Sequence, residues 1–214
     1  MTLLMIDLDN TLIDRDAGFR TGLIALLAEH GLPADHADWI MPVDDRGYAP
    51  RPVVARAILD RLDLGLTEDE LITALLRASR DNAHLAPATA AAIARARAGG
   101  HRVVIVTNGP VAGQTGKIRN AGLDRLVDAV VVSETVGADK PDPAIFHAAA
   151  AAVDGTLDDA WMIGDRDDAD ILGAHRLGVP SVWLRLGREW APADYRPTHT
   201  ADTVTEAIDH AANA

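Results

Sequence analysis

Asp7 and Asp9 stand two apart where a short apolar run, LLMIDL at 3–8, turns acidic, and a second acidic stretch, GDRDDAD at 164–170, closes another apolar run. Two carboxylates a few ångströms apart repel each other, and one of them keeps its proton unless a cation neutralises the pair. A hard divalent ion such as Mg2+ is the natural partner for oxygens of this kind. Thr107 ends the run HRVVIVTNG, with Asn108 and Gly109 in the turn behind it, and its hydroxyl and the turn amides could hold an anion. Lys140 precedes Pro141 and stands to face the same carboxylates. Each feature alone has an ordinary reading: a solvated turn, a helix N-terminus complementing its dipole, a strand-end turn.

Two other metal and phosphate motifs fail on their own chemistry. A calcium loop starting at Asp165 would have Asp170 where glycine is needed and Arg176 where glutamate is needed. The glycines before Lys117 do not make a phosphate loop, because Val111 holds the first glycine position and Lys117 precedes Ile118 rather than Ser or Thr. Lys117 is expected to be a surface helix residue.

The elements that must position these residues alternate. Apolar runs at 3–8, 101–109, 128–134, 160–165 and 180–186 read as buried strands, and the segments between them read as helices. That pattern predicts an α/β fold, a doubly wound, Rossmann-like parallel sheet of about five strands. Asp7 and Asp9 are expected at the carboxyl end of the first strand, pointing to one side by the period-2 alternation. Roughly 90 residues after it carry no strand signal and read as helices at 16–30, 34–42, 52–63 and 67–84. They predict a small all-helical second domain.

Composition narrows the classes. The chain has 214 residues, 20 Lys plus Arg against 32 Asp plus Glu, a formal charge of −12 and no cysteine. Disulfide scaffolds, cysteine nucleophiles and thiolate metal sites are excluded. The acidic balance argues against nucleic acid as a partner, and no run approaches a membrane span. MTLLMIDLDN does not read as a signal peptide, so a cytoplasmic protein is expected. A monomer is the default.

Taken together and in order, DxDxT (Asp7-Leu8-Asp9-Asn10-Thr11), the strand ending in Thr107, Lys140-Pro141-Asp142-Pro143 and GDxxxxD (Gly164 through Asp165 to Asp170) resemble the haloacid dehalogenase-like (HAD) superfamily of hydrolases. The helical insertion resembles a type-1 cap, implying a catalytic core of residues 1–14 and 86–214 and a cap of residues 15–85. The resemblance implies a phosphatase acting on a small-molecule phosphomonoester. Asp7 would be the nucleophile forming an aspartyl phosphate, and Asp9 the general acid and base. Thr107, the Asn108 backbone and Lys140 would bind phosphoryl oxygens. Mg2+ would be held by Asp7, Asp165 and the Asp9 backbone carbonyl, with Asp170 as an outer ligand.

Other activities of the superfamily separate by residue. A haloacid dehalogenase lacks the second aspartate, since a halide leaves without a proton, yet Asp9 is present. A phosphonoacetaldehyde hydrolase needs a cap lysine, and residues 14–86 contain none. A phosphomutase-like transfer differs mainly in how the cap excludes water, and a non-catalytic binding protein would need neither acid. The stretch MPVDDRGYAPRP at 41–52 is the expected selector of the leaving group. Arg46 or Arg51 could meet a second anionic group there and Tyr48 could stack or donate a hydrogen bond. Trp39 is expected in the cap core, Trp161 under the sheet, and Arg166 paired with Asp167 or leaning into the crevice.

Overall fold

Short segments of wholly buried side chains such as Leu3–Ile6 and Ser181–Leu184 have no polar face to give to water, and they form the central strands of a sheet covered by helices. The structure, a computed structural model, describes residues 1–214. In chain order, β1 (Leu3–Ile6) leads into α1 (Arg15–Glu29), α2 (His36–Asp44), α3 (Arg51–Leu59) and α4 (Glu68–Asp81). There follow α5 (Pro87–Ala98), β2 (Arg102–Thr107), α6 (Val111–Asn120), β3 (Ala129–Val132), the single turn α7 (Ser133–Val136) and α8 (Pro143–Ala151). The chain ends with β4 (Ala160–Gly164), α9 (Leu172–Arg176), β5 (Ser181–Leu184), β6 (His199–Ala201) and α10 (Val204–Asn213).

All strand pairings are parallel, in the order β3-β2-β1-β4-β5-β6. The sixth strand is more than the sequence predicts, because three residues, His-Thr-Ala, make no apolar run. Ile6 lies level with Ile105 on one side and Ile163 on the other, so β1, β2 and β4 release the chain at one edge. The order reverses between β1 and β4, where the crevice of a doubly wound sheet opens. Met5, Val104, Val106, Phe146 and Met162 form the core beneath that edge. Trp161 meets His210 of α10 edge-on, with ring centroids 5.4 Å apart.

The chain divides into two units, Met1–Ile13 with Leu85–Ala214, and Asp14–His84. Ile13 and Leu85 bridge each other antiparallel where the second unit leaves and rejoins the first. The second unit, taken by itself, is all helical. The Asp14 side chain accepts from Ala17 N at the start of α1, and Thr67 and Glu70 form a capping box at the start of α4. Gly18 and Gly22 let α1 lie against α4, since a Cβ on Gly22 would fall 2.6 Å from Ala78 Cα. Phe19, Leu23, Leu27, Ile40, Ile58, Leu71 and Leu75 fill the interior, with Trp39 half-buried against them. Asp44, fully buried, accepts from both Arg15 and Arg51. Their guanidiniums lie 4.5 and 5.0 Å from the Phe19 ring centre. No helix of the chain is long and apolar enough to cross a membrane.

Candidate active site

β1 stops at Ile6, so Asp7 and Asp9 lie in the turn beyond the strand and not on its alternating ladder. Asp7 N still donates to Ile163 O at 2.9 Å, which fixes Asp7 beside β4. The turn then closes on the Leu8 carbonyl, which accepts from Thr11, Leu12 and Ile13 amides at 3.3, 3.0 and 3.1 Å, with Asn10 at φ 59°. Leu8 is buried and anchors the turn, and Thr11 Oγ1 donates back to Asp7 Oδ2 at 3.1 Å. One tight loop thus presents both acids, by turn geometry and not by strand periodicity.

Lys140 is the charge around which the acids gather. Its Nζ donates to Asp7 Oδ1 and to Val106 O, both at 2.7 Å, and lies 2.8 Å from Asp170 Oδ1. The Asn108 side chain holds the lysine's backbone reciprocally, accepting from Lys140 N at 2.8 Å and donating to Lys140 O at 3.0 Å. Asp165 directly follows β4, and Asp170 sits in a π-helical turn, Asp167–Ile171, that brings its Oδ2 to accept from Arg166 N at 3.0 Å. Gly164 makes room for it: a Cβ there would stand 2.1 Å from Asp170 Oδ2. Asp7, Asp165 and Asp170 are all buried, and their ligand oxygens lie within 4.8 Å of one another.

Burial pushes the Asp7 carboxyl up to about 7; the Lys140 ammonium opposes this and the Asp170 charge adds to it. For Lys140 burial works the other way, but the Asp170 and Asp7 carboxylates outweigh it and hold the ammonium above its usual range. Around Asp7 and Asp170 the site therefore carries the Lys140 ammonium and a crowd of carboxylates that a further cation would relieve.

The expectation for Lys117 is corrected. Lys117 is buried at 8% exposure and donates to both oxygens of Asp9, at 2.8 and 2.6 Å. Gln114, one helical turn earlier on α6, donates to Asp9 Oδ2 at 3.0 Å and to Thr107 Oγ1 at 2.6 Å. The Thr107 oxygen accepts there, while its own proton reaches only the Asn108 carbonyl, at 3.5 Å, a long contact that a phosphoryl oxygen could replace. Lys117 faces inward because the β2–α6 turn aims the first turns of α6 at the β1 edge, which no local pattern of α6 records. The one signal was rarity: the chain has two lysines, and both contact these acids.

Two more residues were missed. Trp183 Nε1 and Arg188 donate to the Asp165 carbonyl at 3.0 and 2.6 Å, and Arg188 also reaches Asp165 Oδ2 at 3.2 Å. Arg166 pairs with Asp168, at 2.7 Å from its Nε. Arg46 and Tyr48 belong to the helical unit. There Arg46 Nε lies 3.4 Å from Asp16 and Tyr48 is exposed.

A family model described as haloacid dehalogenase-like hydrolase matches residues 1–178. A glyceraldehyde 3-phosphate phosphatase of Pyrococcus abyssi is 29% identical over 196 residues, 87% of this chain and 82% of that protein. A phosphoserine phosphatase of Thermus thermophilus is 36% identical over 118 residues, covering 55% of this chain and 47% of that protein. Among solved structures, the magnesium-bound HAD-hydrolase YfnB of Bacillus subtilis matches with a TM-score of 0.82 at 21% identity, over 100% of this chain and 99% of that one.

Proposed function

The chain belongs to the haloacid dehalogenase-like hydrolase family, and on that premise we propose that it is a Mg2+-dependent phosphatase hydrolysing a small-molecule phosphomonoester through an aspartyl phosphate. The observation that carries the reading is the set of buried Asp7, Asp165 and Asp170 around Lys140 at the β1/β4 crevice, with Asp9 beside it. An all-oxygen set of this spacing fits Mg2+, which accepts one or two carboxylates and keeps several waters. Asp7, Asp165 and the Asp9 carbonyl would hold the ion and Asp170 would orient the site from behind. The bound ion would supply the positive charge that keeps Asp7 ionised and draws charge from the phosphoryl oxygens.

In the first step an Asp7 oxygen attacks phosphorus, the ester P–O bond breaks, and the leaving oxygen takes a proton from Asp9. In the second, Asp9 takes a proton from a water whose oxygen attacks phosphorus, and the acyl-phosphate bond breaks to release inorganic phosphate and restore Asp7. Lys140, the Thr107 hydroxyl and the Asn108 backbone bind the phosphoryl oxygens, where stabilising charge is the main catalytic task. A halide leaving group would make no use of Asp9, and the three N–H donors built around it speak against a dehalogenase.

The helical unit is the proposed cap, with Arg46 and Tyr48 as its readers of the leaving group. Phosphatases named for glyceraldehyde 3-phosphate, phosphoserine and phosphoglycolate are among the relatives, which points to small phosphorylated metabolites. Hydrolysis of p-nitrophenyl phosphate with Mg2+, lost on adding EDTA, is the expected result, followed by a panel of those esters. A protein inert toward the whole panel at saturating Mg2+ would overturn the reading.

A further inference from the structure

Gln114 and Lys117 stand three residues apart on α6 and so share one face of the helix. Both side chains are buried, and between them they place three donor contacts on Asp9, two from the ammonium and one from the amide. Burying an ammonium is unfavourable unless it is paired, and nothing in an ordinary helix surface asks for it. The same Gln114 amide donates to Thr107 Oγ1, so one side chain ties the second aspartate to the strand-end hydroxyl.

We propose that Gln114 and Lys117 are positioning residues: they aim the Asp9 carboxyl group, protonated toward the ester oxygen and ionised toward the attacking water, acting through Asp9 and not on the substrate. This rests on the phosphatase reading, in which Asp9 moves the protons. Without the clamp Asp9 turns among the rotamers open to it and both proton transfers slow, while attack by Asp7 on an ester that needs no proton is less affected. A residue that only supported the fold would slow every step alike, and a direct phosphate ligand would raise KM.

The test uses the full chain with Mg2+ and two esters. One is p-nitrophenyl phosphate, whose phenolate leaves unprotonated, and the other is the best alkyl phosphate of the metabolite panel. Lys117→Met and Gln114→Ala are each expected to lower kcat for the alkyl ester at least about tenfold more than the first-turnover rate of p-nitrophenol release, with KM within about twofold. In an Asp9→Asn background, adding Lys117→Met should change the first-turnover rate less than about twofold, because the group it acts through is gone. Equal losses on both esters, a raised KM with kcat kept, or losses that multiply in the double variant would each overturn the inference. If Lys117→Met melts early, Gln114→Ala and Gln114→Met carry the same comparison. A wild type that hydrolyses neither ester overturns the phosphatase reading itself, whereas an active wild type with unselective variants overturns the clamp alone.

Discussion

As the proposed nucleophile, Asp7 meets two opposed demands, to be buried and to be ionised. Its surroundings are built around that conflict, with Lys140 at 2.7 Å on one oxygen and Thr11 at 3.1 Å on the other. Asp7→Asn keeps the shape and both neighbours but removes the proposed nucleophile, so turnover should fall at least about a thousandfold while the circular dichroism spectrum is unchanged. The pH dependence has a definite sign. The folded carboxyl is raised from 3.8 to about 7, so below about 4 folded and unfolded forms are alike protonated, and its contribution to stability is present there and is lost as pH rises through about 7. A metal needs the ionised form, so Mg2+ should bind more tightly as pH rises toward 7 and should displace a proton below it. Titration calorimetry at pH 6 in two buffers of different ionisation heat measures that proton, and identical heats would contradict it.

At the scale of elements, strand ends do the placing. The shared level of Ile6, Ile105 and Ile163 brings Asp7, Thr107 and Asp165 to one edge, and the missing Cβ of Gly164 admits Asp170 to the same spot. Gly164→Ala would drive a methyl into the Asp170 carboxylate, and an expected 10–100-fold loss of Mg2+ affinity, roughly the cost of losing an outer-shell partner, should appear in the same calorimetry. Elements of this kind were legible in the sequence because each acid follows an apolar run. Asp9 was found for an incomplete reason, since a turn folded on the Leu8 carbonyl, and not strand alternation, presents it. Lys117, Gln114 and Arg188 were not found, because their partners lie far away in the chain and only the packing of α6 and the loop after β5 brings them near. The strand His199–Ala201 escaped for want of apolar length.

At the scale of the molecule, the sheet unit holds the carboxylates and the helical unit holds its own closed core and its own buried charge cluster, Arg15, Asp44 and Arg51. Ligand binding to the sheet unit should therefore appear in its unfolding. Saturating Mg2+ at a hundred times its Kd should stabilise it by about 2.7 kcal/mol, read as a raised melting temperature, and Asp165→Asn should abolish the rise.

The bridge between Ile13 and Leu85 sets the two junctions of the inserted segment side by side. Because the ends already meet, the sheet unit is indifferent to how much chain runs between them, and the entropy of closing that excursion grows only with the logarithm of its length. The insertion point is a socket: a helical module of different length can be exchanged there without widening the gap the sheet unit must close, and the contacts among that unit's own carboxylates are kept.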